Sequence, residues 1–305
     1  MHVPVLRDEV LRYLLGDPNG FYIDCTLGGG GHLRELLRHL SAQARVLAID
    51  KDGEVLKRTA QTLFHPGLRL VHADFRDLDQ ILTGEEWGQA EGILMDLGVS
   101  SFQLDEADRG FSYHEDAELD MRMNRDQAIK AADLVNQLEQ EELTRIIFTY
   151  GEERFARQVA RAIIKHRSQG EISSTVELSA IIKEAIPARY RRDKHPARRT
   201  FQALRIAVNK ELEALEESLP KAVAALKPGG RLCIITFHSL EDRIVKRYFA
   251  AQAVACVCPP RQPVCNCHHQ PILELVIRKA IVPDEAECAV NPRARSAKLR
   301  VARKI

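Results

Sequence analysis

Phe21-Tyr-Ile-Asp-Cys-Thr-Leu-Gly-Gly-Gly-Gly-His-Leu33 holds the change of pattern that organises this chain. Residues 21–25 are apolar and β-favouring, and they lead into four glycines, Gly28 to Gly31. Beyond the glycines, Leu33, Leu36, Leu37 and Leu40 recur at helical spacing. A strand, a glycine loop and a helix in that order bring backbone close to a ligand, because glycine takes positive φ and a helix start favours negative charge. Outward from there, 45–50 predicts a second strand, 54–63 a helix, and 68–72 and 92–95 two more strands. Strand and helix alternating at this pitch predict an α/β fold, a parallel and doubly wound Rossmann-like sheet with its crevice at the strands' carboxyl ends.

The alternation stops near residue 105. Helical periodicity then runs to residue 199, over 131–150, 153–166 and 175–186, with Pro187 and Pro196 closing the block. A helix over 201–226, the turn Lys227-Pro-Gly-Gly230 and an apolar strand over 231–237 resume the first pattern, and 272–279 and 297–304 predict two more strands. The simplest organisation is a sheet domain in two parts, 1–104 and 200–305, with a helical insertion at 105–199 for substrate recognition.

Glycine loops serve nicotinamide, phosphate and methyl-donor sites alike, so the acids around this one carry the distinction. Asp50 ends the second strand 22 residues after Gly28, where a carboxylate can accept hydrogen bonds from the ribose of NAD or of S-adenosylmethionine. The dinucleotide register G-x-G-x-x-G is not kept, since Leu33 stands at its third glycine. Asp74-Phe75 follows the third strand and offers a polar partner and an aromatic edge to an adenine. Asp96 ends the fourth, where a methionine ammonium is the natural partner. Any one of these acids also reads as a strand-end cap or a surface charge. Three consecutive strands that each end in an acid favour the methyl donor.

Composition bounds the rest. Of 305 residues 45% are hydrophobic and 29% charged, which is globular composition, and 44 basic against 43 acidic residues leave a net charge of +1. A polyanionic partner must therefore be met by local patches. The first twenty or so residues lack the pattern of a signal peptide, and no apolar run reaches the roughly 18 residues of a membrane span. A soluble, cytoplasmic protein without a membrane partner is expected.

Further blocks stand along the chain: His2-Val-Pro-Val-Leu6, Asp24-Cys-Thr-Leu-Gly-Gly-Gly-Gly-His32, Asp96-Leu-Gly-Val-Ser-Ser-Phe-Gln-Leu-Asp105, Arg109-Gly-Phe-Ser112, Leu119-Asp-Met-Arg-Met123 and Tyr150-Gly-Glu-Glu-Arg154. Thr200-Phe-Gln-Ala-Leu-Arg-Ile206, Phe237-His-Ser-Leu-Glu-Asp-Arg243 and Asn291-Pro-Arg-Ala-Arg-Ser-Ala-Lys-Leu-Arg300 follow them. In content and order these blocks resemble the MraW/RsmH family of 16S ribosomal RNA (cytosine-N(4)) methyltransferases. The resemblance implies a Rossmann-like class I methyltransferase sheet with an inserted helical domain. It also implies that Gly30, Gly31 and His32 contact the methionine end of S-adenosylmethionine. Asp50 would take the ribose and Phe75 the adenine, while Asp96 and Gln103 complete the pocket. The implied substrate is a cytidine of the decoding centre of 16S ribosomal RNA, in the small subunit. Phe102 departs from the family's usual proline, and Ala117-Glu118 from its glycine-proline pair.

The exocyclic amine of cytosine has a lone pair delocalised into the ring, so a site must accept its hydrogen bond and align it with the donor. Asp96, Ser100, Ser101, His238 and Ser239 are the candidates on that side, although His238 also reads as a structural histidine. The Asp/Ser-Pro-Pro-aromatic tetrapeptide of DNA amino-methyltransferases is absent, and no DNA partner is expected. Phe111, Tyr113 and Phe237 suit base stacking or core packing.

Two basic runs suit phosphate. One spans 189–199 with Arg189, Arg191, Arg192, Lys194, Arg198 and Arg199 against Asp193 alone, and the other spans 293–304 with Arg293, Arg295, Lys298, Arg300, Arg303 and Lys304. Cys256-Val-Cys258 and Cys265-Asn-Cys267, followed by His268 and His269, have the makings of a structural zinc site of four thiolates. Reduced thiols in a proline-braced loop are the other reading. Two rival functions remain open on sequence: an NAD-dependent oxidoreductase, and a non-catalytic ribosome-binding module that retains the cofactor fold.

Overall fold

The structure is a computed structural model that describes residues 4–83, 87–191, 195–259, 262, 264 and 266–305. In chain order its elements begin α1 (Arg7–Leu14), β1 (Phe21–Asp24), α2 (Gly31–Leu37), β2 (Arg45–Asp50), α3 (Gly53–Ala60), β3 (Leu68–His72), α4 (Leu78–Thr83) and β4 (Ala90–Asp96). Then come α5 (Ser101–Asp105), α6 (Ala131–Gln137), α7 (Gln140–Gly151), α8 (Ala156–Arg167), α9 (Thr175–Ala185) and α10 (Arg198–Asn209). The chain closes with α11 (Glu211–Ala225), β5 (Leu226–Thr236), α12 (Ser239–Gln252), β6 (Leu273–Leu275), α13 (Glu285–Val290) and β7 (Lys298–Lys304). It divides into two compact units, Met1–Gly98 with Leu212–Ile305, and Val99–Glu211.

The first unit is a seven-stranded sheet in the order β3-β2-β1-β4-β5-β7-β6. Its strands pair in parallel through β5, and β7 runs antiparallel to β5 and β6. Strands covered on both faces need apolar residues at every position, and the alternation of side chains divides them between two cores. Phe21, Ile23, Leu47, Ile49, Ile93, Met95, Leu232 and Ile234 enter one core, whereas Tyr22, Val46, Ala48, Leu94, Cys233 and Ile235 enter the other. Burial of this kind pushes the Cys233 thiol up to about 12 and the Cys25 thiol higher still. The chain reverses direction about β1, with β2 on one side and β4 on the other, and ligands of such sheets bind beyond the carboxyl ends at that switch.

Several boundaries differ from the sequence reading. Lys227-Pro-Gly-Gly230 does not end before the strand but lies within β5, where the pairing with β4 shifts between Ala90 and Gly92. The predicted helix over 201–226 is two helices, because Lys210 turns left-handed at φ 50° after Asn209. Asn209 fixes that break: its amide donates to Met121 O at 2.7 Å and its Oδ1 accepts from Met123 N at 2.7 Å. The strand predicted over 272–279 is the three-residue β6.

The second unit is helical and has its own core, including Leu119, Met121, Val135, Leu143, Val159, Ile163, Leu178, Phe201 and Leu204. The predicted helix over 131–150 is interrupted between α6 and α7, where Arg167 Nη1 donates to the carbonyls of Val135 at 2.9 Å and Leu138 at 2.7 Å. Because α10 contributes Phe201, Leu204 and Val208 to this core, the unit extends beyond 105–199 on both sides. Arg109 is 1% exposed, and its Nη2 is spent on the carbonyls of Arg122 and Met123. Gly110 beside it sits at φ +71°, where an added Cβ would lie 2.4 Å from Glu118 O, so only glycine fits.

Candidate active site

The glycine loop is held from the sheet. Gly28 N donates to Asp50 Oδ2 at 2.7 Å, and Gly28 O accepts from Thr59 Oγ1 at 2.7 Å. Gly30 follows at φ +67°, with an added Cβ only 2.7 Å from Thr59 Cγ2, so a side chain there would be strained and crowded. Asp50 Oδ1 accepts from Asp52 N at 2.8 Å. Each oxygen thus has one backbone partner and a remaining lone pair, which is what a ribose hydroxyl needs.

His32, in the first turn of α2, brings Nε2 to 3.6 Å from Asp96 Oδ2 at the end of β4. Asp96 N donates to Thr26 Oγ1 at 2.6 Å, which fixes the strand end against the loop after β1. Asp96 Oδ1 is buried and has no hydrogen-bond partner among the described residues. Burial, then Asp24, then Glu241 push the Asp96 carboxyl up to about 8. Asp24 itself is raised to about 7 by burial, with Asp50 adding to it. Asp50 is raised to about 6, again by burial first. Adjacent acids in low dielectric repel one another's charge and wait for a cation.

These features fit S-adenosylmethionine, which carries a sulfonium and an ammonium. Asp96 offers an unmatched acceptor, Asp50 has acceptor capacity to spare, and the glycine loop leaves backbone accessible. Asp24 and Glu241 were missed by sequence reasoning. Asp24 was hidden inside the strand predicted to end at Cys25, whereas β1 ends on it, so β1, β2 and β4 all close on an acid. Phe75 opens a 3-10 turn capped by Asp74, which accepts from Arg76 N at 3.0 Å, and its ring packs against the sheet's core.

His238 caps α12. Its Nδ1 accepts from Glu241 N at 3.4 Å, and Nε2 stands 3.1 Å from Glu241 Oε1. Glu241 Oε2 accepts from the backbone of Phe237 at 2.8 Å and of His238 at 3.2 Å, so the histidine and the glutamate orient each other. Ser100 and Gln103 lie in the helical unit, where they form a capping box on α5. Ser100 Oγ accepts from Gln103 N at 3.3 Å, and Gln103 Oε1 accepts from Ser100 N at 3.0 Å. The three aromatic candidates are packed: Phe111 and Tyr113 belong to the helical core and Phe237 to a sheet core.

The basic runs differ. Arg198 and Arg199 begin α10 exposed, and Arg199 Nη1 donates to Glu152 O at 3.0 Å. Arg192 and Lys194 lie outside the described residues. In the second run Lys298 and Arg300 bind Asp242 at 3.0 and 2.6 Å, which against the effect of burial holds that carboxyl below its usual range. Arg303 pairs with Glu274, and Arg293 and Arg295 are exposed.

A sheet of this order with a reversed seventh strand, its carboxyl edge lined by acids beside a glycine loop, is the frame of class I S-adenosylmethionine-dependent methyltransferases. The chain is of that class. It matches the MraW methylase family over residues 1–305. The ribosomal RNA small subunit methyltransferase H of Symbiobacterium thermophilum is 51% identical over 307 residues, covering 100% of this chain and 96% of the relative. The proteins of that name from Heliobacterium mobile, 49% identical over 310 residues, and Clostridium botulinum, 48% identical over 305, each cover 100% of this chain and 99% of their own. The chain belongs to the MraW methylase family. That membership sets aside the NAD-dependent oxidoreductase.

Proposed function

We propose that this chain transfers a methyl group from S-adenosylmethionine to the exocyclic N(4) amine of a cytidine in the decoding centre of 16S ribosomal RNA, in the small subunit. The relatives named ribosomal RNA small subunit methyltransferase H support the substrate. The observation that carries the chemistry is Asp96: a carboxylate at the end of β4 with one oxygen 3.6 Å from His32 and the other buried without a partner among the described residues.

The cofactor supplies an electrophilic methyl group on a sulfonium. Asp50 would hold its ribose, Phe75 would lie toward its adenine, and the loop of Gly30, Gly31 and His32 would receive its methionine end. Asp96 accepts a hydrogen bond from the cytosine amine, which localises the lone pair on nitrogen. Once it carries the methyl group the amine is strongly acidic, and Asp96 is the acceptor for the proton it sheds. His238, oriented by the cap it makes, holds the target base. A paired base must leave its stack to reach such a site. Arg198, Arg199, Arg293 and Arg295 take backbone phosphates, whereas Lys298 is engaged by Asp242, and the reaction runs in the cytoplasm.

The test is methyl transfer from labelled S-adenosylmethionine to small subunits that lack the modification, read by nucleoside mass spectrometry. N(4)-methylcytidine at a single decoding-centre position is the expected product. Cofactor binding with no turnover on any ribosomal particle would instead support the non-catalytic ribosome-binding module.

A further inference from the structure

The segment between Gln252 and Leu273 contains no helix or strand among its described residues. It has little to pack with: Val254, Val257 and Val264 are 38, 59 and 74% exposed. Its base is closed by one backbone hydrogen bond, Ile272 N to Gln252 O at 2.9 Å. A connection this long without a core of its own requires some other constraint to hold one conformation.

Three thiols converge inside it. The sulfur atoms of Cys256, Cys258 and Cys267 all lie within 4.8 Å of one another. Cys256 Sγ and Cys267 Sγ are 3.8 Å apart, far beyond the about 2.05 Å of a disulfide. Four sulfurs arranged tetrahedrally at about 2.3 Å from a zinc ion are about 3.8 Å from one another. The chain therefore places this pair at the edge length of a zinc–thiolate tetrahedron. Cys258 N donates to Cys256 Sγ at 3.4 Å, the kind of backbone bond that supports a metal-bound thiolate. Cys258 Sγ lies 3.8 Å from Asn266 Oδ1, a weak contact that gives way when the thiol loses its proton to a metal.

We propose that Cys256, Cys258 and Cys267 bind a structural zinc ion that clasps the loop between α12 and β6. Soft thiolates select zinc over hard cations such as magnesium. Cys265 lies outside the described residues. The three thiols lie in the loop between α12 and β6, so the ion is a clasp for that loop and takes no part in methyl transfer.

The full chain, purified reduced and without a metal-binding tag, is expected to contain about one zinc by elemental analysis. Cobalt(II) added to the metal-free protein should give the thiolate charge-transfer band in the near ultraviolet and the strong visible bands of a tetrahedral site. Replacing Cys256→Ser and Cys267→Ser together should abolish both signals and speed proteolysis of the 253–272 loop. Cys288→Ser, outside the cluster, should change neither. Zinc retained by the double variant, no cobalt spectrum from the reduced wild type, or a Cys256–Cys267 disulfide in protein kept reduced would each overturn the proposal.

Discussion

The two compact units treat buried charge in opposite ways. In the helical unit each acid considered is matched from within. Asp120 receives Arg122 bidentately, Nε to Oδ1 and Nη2 to Oδ2 at 2.8 Å each, and these bonds outweigh burial and hold its carboxyl below the usual range. Arg205 grips Glu211 in the same fork at 2.8 and 2.9 Å. In the sheet unit Asp24 is buried and Asp50 and Asp96 are partly so, yet their carboxyls are pushed up to about 7, 6 and 8. A charge matched inside the chain stabilises a fold, whereas a cluster left short of cations is arranged for something that arrives from outside.

The largest expected effect falls on the unmatched acids. Asp96→Ala and Asp50→Ala should each weaken S-adenosylmethionine binding by about 100-fold, on the order of 3 kcal/mol, while melting stays close to wild type. Calorimetry that returned wild-type affinity for both would break the contrast on its functional side. The matched acids should behave the other way. Asp120→Ala removes the carboxylate partner of Arg122, whose Nη1 keeps the carbonyls of Arg125 and Gln127, and is expected to lower stability by about 2 kcal/mol, read by denaturant unfolding, with cofactor affinity in the folded protein unchanged. A loss of cofactor affinity without a loss of stability would reverse its assignment. A smaller effect belongs to the exposed arginines of α10. Arg198→Ala with Arg199→Ala should weaken RNA binding several-fold and lower its salt slope by about one or two, sparing the cofactor. An unchanged slope would return these residues to the solvated surface.

The strands nearest the glycine loop were legible because nothing competes with their pattern. The apolar run over 45–50 fits a buried strand, and the loop glycines mark the break that follows the first one. The errors arose where one long-range partner overrules local periodicity. The side chain of Asn209 reaches Met121 and Met123 and so ends a helix that the spacing of apolar residues would continue. Arg167 does the same at Val135 and Leu138. The basic run on β7 read as a phosphate patch, yet Lys298 and Arg300 are tied to Asp242, 56 and 58 residues away in the chain. In the site, Asp50 and Asp96 stood out as strand-ending acids. Asp24 did not, since its significance comes from the two neighbouring strands that also end in acids, a relation only the sheet reveals.

The central claim is that Asp96 waits for a cation, and calorimetry of S-adenosylmethionine binding at pH 7 in buffers of different ionisation enthalpy tests it directly. With its carboxyl raised to about 8, Asp96 is mostly protonated at that pH in the free protein. An arriving positive charge favours the carboxylate and lowers that value, so binding must expel a proton. The account predicts proton release by the wild type that falls sharply in Asp96→Asn. Binding heats independent of buffer, or equal release from the two proteins, would contradict it.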